Sequence, residues 1–139
     1  MGFSVFLRKK MTKQEHITYW KESAQENWNT ALYLMKGRQN LFALFAFHLA
    51  MEKLLKAHWV RDNEANTPPR IHDLPELYQK TDLEFSFEQV DYLNTINGWN
   101  IEGRYPDYKK KVNQMATNAY LDFHLPKLET LKLCLLEKL

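Results

Sequence analysis

The sequence predicts an all-α fold, an antiparallel bundle of four to five helices. Apolar residues recur at spacings of three and four over long stretches, which is the period of a helix with one buried face. Only four glycines and five prolines interrupt the 139 residues, whereas a strand-and-turn fold needs frequent glycine and proline at its turns. Long helices with mostly short connections favour antiparallel neighbours, so the chain is expected to fold as a bundle.

The first two helices are predicted from capping and apolar spacing. Thr12 and Glu15 form a capping-box pattern that opens a helix over residues 13–36, and Gly37 is a natural end for it. The second helix, over about residues 40–61, is apolar on most of its circumference. A helix of this kind must be surrounded, so we expect other helices or a partner chain to cover it.

Two shorter helices follow a polar connection. Asp73 can cap a helix over about residues 74–80, because its carboxylate can accept from the first free N–H groups. Ser86 and Gln89 form a second capping box, which opens a fourth helix ending at about Gly98.

The C-terminal region is predicted to be a loop followed by one long helix. Residues 101–108 are assigned to a loop, because Pro106 lacks a backbone donor. Leucines then keep helical spacing over about residues 114–138, even across Pro126. This pattern favours a single kinked helix, with a break into two pieces at Pro126 as the alternative.

Composition limits the classes of protein to which the chain can belong. The length fits one domain, residues 12–139, preceded by a flexible tail over residues 1–11. The net charge of +2 is too small to indicate nucleic-acid binding by itself. A single cysteine, Cys134, excludes an intrachain disulfide and is expected in the core. No apolar run reaches the roughly 20 residues of a membrane span, so we expect a cytoplasmic protein without membrane attachment.

Three separated segments share the order and spacing of one known family. They are FHLAMEKLLKA at residues 47–57, IHDL at residues 71–74 and GRYPD at residues 103–107. Together they resemble the HEPN (higher eukaryotes and prokaryotes nucleotide-binding) domain family, over essentially all of residues 12–138. His48 departs from the pattern, because the family commonly has glutamine there.

The resemblance implies a fold, partners and an activity to test. HEPN domains are helical bundles that usually pair into dimers, often beside a small nucleotidyltransferase and often as a toxin–antitoxin pair. Many are metal-independent ribonucleases with an Arg-x4–6-His motif at the dimer interface. In that motif the arginine holds the scissile phosphate and the histidine moves the proton of the 2′-hydroxyl. The chain is thus expected to be a homodimer, with a nucleotidyltransferase as a possible partner and nucleotide or RNA as a possible ligand.

The ribonuclease motif is missing from this sequence. Arg104 matches the family arginine, but the window for the histidine holds Lys109, Lys110 and Lys111. A solvated lysine keeps its proton at neutral pH and is a poor base. We therefore predict a binding protein rather than an enzyme, with no catalytic residue, cofactor or metal assigned. An RNA-cleaving toxin with a non-standard base, and a pure interaction module using the second helix as its docking surface, remain alternatives.

The main candidate site is a basic and aromatic segment after the fourth helix. Its cations suit phosphate, and its tyrosine rings can stack on bases. The alternative is that the lysines only solvate the start of the last helix, although cations at a helix N-terminus oppose its dipole. The candidate binding residues are Arg104, Tyr105, Tyr108, Lys109, Lys110 and Lys111.

A second candidate lies on one edge of the apolar second helix. Its residues are Glu52, Lys53 and Lys56. Either Glu52 and Lys56 form a simple i,i+4 ion pair, or this edge lines a groove that orients Arg104. His72 is either a polar loop residue beside the capping aspartate or a neighbour of that groove. The sequence leaves both choices open.

Overall fold

The fold is described from a computed structural model, in which residues 10–139 are described. Except for its last two residues, the predicted tail lies outside the described residues. Residues 10–139 contain six helices and no strand, which confirms the all-α class. The helices are α1 (Lys13–Lys36), α2 (Asn40–Asp62), α3 (Leu74–Gln79), α4 (Phe87–Asn97), α5 (Pro106–Met115) and α6 (Asn118–Glu137).

Helices α1 and α2 form an antiparallel hairpin, and polar contacts join the start of α1 to the end of α2. The predicted capping box is confirmed, since the Thr12 hydroxyl accepts from the Glu15 N–H and the Glu15 carboxylate accepts from the Thr12 N–H, both at 3.1 Å. Lys13 Nζ donates to the carbonyl oxygens of Val60 and Asn63, each at 2.7 Å. This cation therefore meets the negative end of the α2 dipole and joins the two helix ends.

Helix α2 is the centre of the bundle. Fourteen of its 23 residues are buried, and the Phe47 ring meets Trp28 of α1 edge to face, with centroids 5.1 Å apart. The chain's own helices α1, α3, α4, α5 and α6 all pack on α2. The expectation that this helix forms the docking surface of an interaction module is therefore wrong. Near its N-terminus, Phe42 is 53% exposed.

The C-terminal region differs from the prediction. Residues 106–108, which were assigned to a loop, form the start of helix α5, and the last helix begins at Asn118 rather than near residue 114. Pro106 occupies the first position of α5, where the missing N–H has no helical acceptor and the fixed φ suits the helix. The Thr117 hydroxyl accepts from the Tyr120 N–H and opens α6. With this extra helix, residues 10–139 contain six helices rather than the four to five predicted.

Helix α6 runs through Pro126 without a break, as the leucine spacing favoured. Its buried leucines and His124 face the bundle, whereas Cys134 is only half-buried, with Gln89 Nε2 3.7 Å from its sulfur. The expectation of a core cysteine is wrong, because Cys134 lies at the edge between α4 and α6. No helix within residues 10–139 has both the length and the apolar character needed to cross a membrane.

Candidate functional site

The turn before α5 fixes the position of Arg104. Trp99 is fully buried and its Nε1 donates to the Tyr120 hydroxyl at 3.0 Å, and Ile101 is also buried. Gly103 then takes a φ of +71°, a conformation that costs glycine little and other residues more. Two core anchors followed by a left-handed turn direct the next residue, Arg104, to the surface, where it is exposed.

Arg104 lies over the ring of Tyr108, with its guanidinium carbon 4.5 Å from the ring centroid. The Tyr108 hydroxyl donates to the Gly98 carbonyl at 2.5 Å, which fixes the ring on the bundle. Stacking on an aromatic face orients a guanidinium and leaves its N–H groups available. Tyr105 is 85% exposed. Tyr108 thus supports the arginine, and Tyr105 offers the free aromatic face.

The three lysines do not form one cluster. Because they lie on a helix, successive side chains are about 100° apart round its axis, and Lys111 lies on a different side from Lys109. All three are exposed. The dipole argument made from the sequence does not hold, because α5 begins at Pro106 and the lysines follow its first turn, which carries Asp107.

The second candidate is a buried polar network around Glu52. This carboxylate is 4% exposed and accepts from Lys56 Nζ at 3.0 Å. His72 Nδ1 lies 3.1 and 3.2 Å from its two oxygens. His48 Nε2 lies 3.2 Å from the backbone carbonyl of His72, and burial lowers the pKa of this histidine. The network ties α2 to the segment that precedes α3.

The other members of the predicted edge have separate partners. Lys53 Nζ donates to Ser23 Oγ at 2.6 Å, and burial lowers its pKa. The Asp73 cap is confirmed, because the Asp73 carboxylate accepts a hydrogen bond from the Glu76 N–H at 2.9 Å. Within residues 10–139, Glu52 makes its hydrogen bonds and ion pairs with Lys56 and the two histidines, and none with Arg104.

The described part of the chain has no group of three or more His, Cys, Asp or Glu side chains arranged to hold a metal ion.

Sequence reasoning missed one cation near the candidate site. Arg38, in the turn between α1 and α2, lies on the same cleft as Lys109 and Lys110. The local sequence does not indicate that Arg38 lies near Lys109, because 71 positions separate the two residues.

We expect Glu52→Gln to lower the free energy of unfolding by about 3 kcal/mol, because it leaves the buried Lys56 without a counter-charge. Urea unfolding measures the change. The double variant Glu52→Gln/Lys56→Met should recover part of the loss, since no unpaired charge remains. The exposed Glu22→Gln serves as a matched control on α1. A loss no larger than that of the control would show that the network does not stabilise the attachment of the segment before α3 to α2.

Comparison with protein families identifies one match. A family model described as the HEPN domain matches residues 17–124, which is most of the chain and includes every candidate residue named above. Comparisons with curated proteins and with solved structures find no match.

Proposed function

Because this chain belongs to the HEPN domain family, we propose that it is a dimeric, non-catalytic protein that binds nucleotide or RNA. It acts with a nucleotidyltransferase partner, in the manner of a toxin–antitoxin pair. The proposal rests on the arrangement of Arg104. This residue is exposed, its guanidinium stacks on the ring of Tyr108, and the exposed ring of Tyr105 is next to it in the chain.

The chemistry of this arrangement suits a phosphate joined to a base. A guanidinium held on an aromatic ring presents a planar set of donors that matches phosphate oxygens. An exposed tyrosine can stack on a base, a contact worth about 1–3 kcal/mol. In residues 10–139 no carboxylate lies within ion-pair distance of Arg104. The arginine is therefore available to an anionic ligand.

One observation favours a second candidate function, metal-independent RNA cleavage. The His72 side chain is 55% exposed, and its Nδ1 is held by the buried Glu52 carboxylate. A carboxylate behind an exposed histidine orients the ring and supports proton transfer at the other nitrogen. Under this alternative, His72 replaces the histidine missing after Arg104.

The homodimer is supported by exposed aromatic side chains on one side of the bundle. Phe87 of α4 is 87% exposed and Phe123 of α6 is 61% exposed. Phe87 lines a groove of about 630 Å³ between these helices, together with Lys127, whose Nζ lies 4.5 Å from the Phe123 ring centroid. Exposed apolar surface of this kind is typical of protein–protein contacts. We place the dimer interface on this α4–α6 face.

We expect Arg104→Ala to weaken binding of a short single-stranded RNA about tenfold or more, because a hydrogen bond to a charged group contributes about 1.5–3 kcal/mol. Fluorescence anisotropy with a labelled decamer measures the affinity. Arg70→Ala removes an exposed arginine from the connection before α3 and is the matched control. Equal affinities for the two variants would remove the proposed site.

The same samples separate binding from cleavage. Incubation of the decamer with excess protein and EDTA should leave it intact under the binding proposal. Cleavage that is lost in both Arg104→Ala and His72→Gln would establish the second candidate function instead.

We expect Phe123→Glu to convert a dimer into a monomer, because a charge on the apolar contact must be desolvated when the two copies meet. Light scattering coupled to gel filtration gives the mass directly. Tyr33→Glu changes a 78% exposed aromatic residue on α1 and should leave the mass unchanged. A monomeric wild-type protein, or a variant that remains dimeric, would contradict this interface.

A further inference from the structure

A second cationic feature lies on a different side of α5 from Tyr108, which supports Arg104, because Lys109 and Lys110 are about 100° and 200° from Tyr108 around the helix axis. Lys109, Lys110 and Asn113 of α5 line a cleft of about 370 Å³ with the turn between α1 and α2, and Arg38 of that turn completes its basic lining. The residues of the first turn of α2, including the half-exposed Phe42, form the rest of the wall.

The charge of this cleft is unbalanced. Three cations line it, and its lining includes no aspartate or glutamate. Across residues 10–139, none of the three has a carboxylate within 4.0 Å. Like charges that share a cleft repel one another and concentrate a positive potential there. An anionic ligand would relieve this repulsion.

Arg38 occupies a backbone position that does not suit it. Its φ is +58°, in the left-handed region, and the turn is fixed by bonds from the Arg38 N–H to the Met35 carbonyl at 3.0 Å and from the Gln39 N–H to the Leu34 carbonyl at 2.8 Å. Glycine is the residue that this helix-ending conformation favours. The neighbouring Gly37 has an ordinary φ of −82°. An arginine is thus present at a strained backbone position on the lining of the cleft.

We propose that this cleft binds the phosphodiester backbone of a single-stranded RNA, as a second anchor beside Arg104. The inference rests on the RNA binding proposed above and extends it. Phe42 adds an exposed ring, 53% accessible, on which a base can stack. Helix α5 is about 15 Å long at 1.5 Å per residue, and both basic sets lie on it or beside it. A strand with several phosphates contacts both sets, whereas a single nucleotide contacts one.

The substitution Arg38→Gly tests the cleft without damaging the fold. Glycine fits the positive φ, so the variant should melt at the same temperature as wild type or higher. Its affinity for a single-stranded RNA decamer should fall, and the slope of log affinity against log salt should become shallower by about 0.7. Affinity for AMP should not change. Arg38→Lys should restore most of the RNA affinity, and the surface pair Lys109→Gln/Lys110→Gln should repeat the loss.

The outcomes separate this inference from the proposed function. If Arg38→Gly and the lysine pair bind RNA as wild type does while Arg104→Ala does not, the cleft is not a binding site and the Arg104 site stands. Equal losses for AMP and the decamer in Arg38→Gly would also overturn the second anchor. If the wild-type protein binds AMP but no RNA, the second anchor is wrong and nucleotide binding at Arg104 stands. If it binds neither, both proposals are wrong.

Discussion

Burial of α2 among the helices of its own chain is the constraint on which the rest of the structure depends. Fourteen of its 23 residues are buried, and Phe47, Met51 and Leu55 have no exposed surface, so most of the circumference of this helix needs a neighbour. Polar groups on such a helix must find partners away from water. Glu52 does so through Lys56 and His72. The same burial that forms the core thus fixes the segment leading into α3.

The fold was predictable to the extent that its signals are local. Both capping boxes and the aspartate cap are confirmed, because each depends on residues three positions apart. Helix α5 was missed because Pro106 was interpreted through its missing donor alone. At the first position of a helix that donor is not needed, and the proline favours the helix instead.

The candidate site shows the limit of local reasoning more clearly. The sequence placed Arg104 beside two tyrosines, but it did not distinguish their roles. Tyr108 is fixed by the Gly98 carbonyl and supports the guanidinium, while Tyr105 remains exposed. Arg38 was not found at all, because its relation to Lys109 and Lys110 exists only after α1, α2 and α5 have packed. Charges that are scattered along a nearly neutral chain are brought together by the bundle.

The central claim is that cations on and beside α5 bind the phosphates of an RNA strand, and its salt dependence is the most direct measurement. With four contacts, from Arg38, Arg104, Lys109 and Lys110, we expect log affinity for a single-stranded RNA to fall against log salt with a slope of about −3, at about 0.7 per phosphate. An affinity that stays constant between low and moderate salt would show that these cations do not hold the strand.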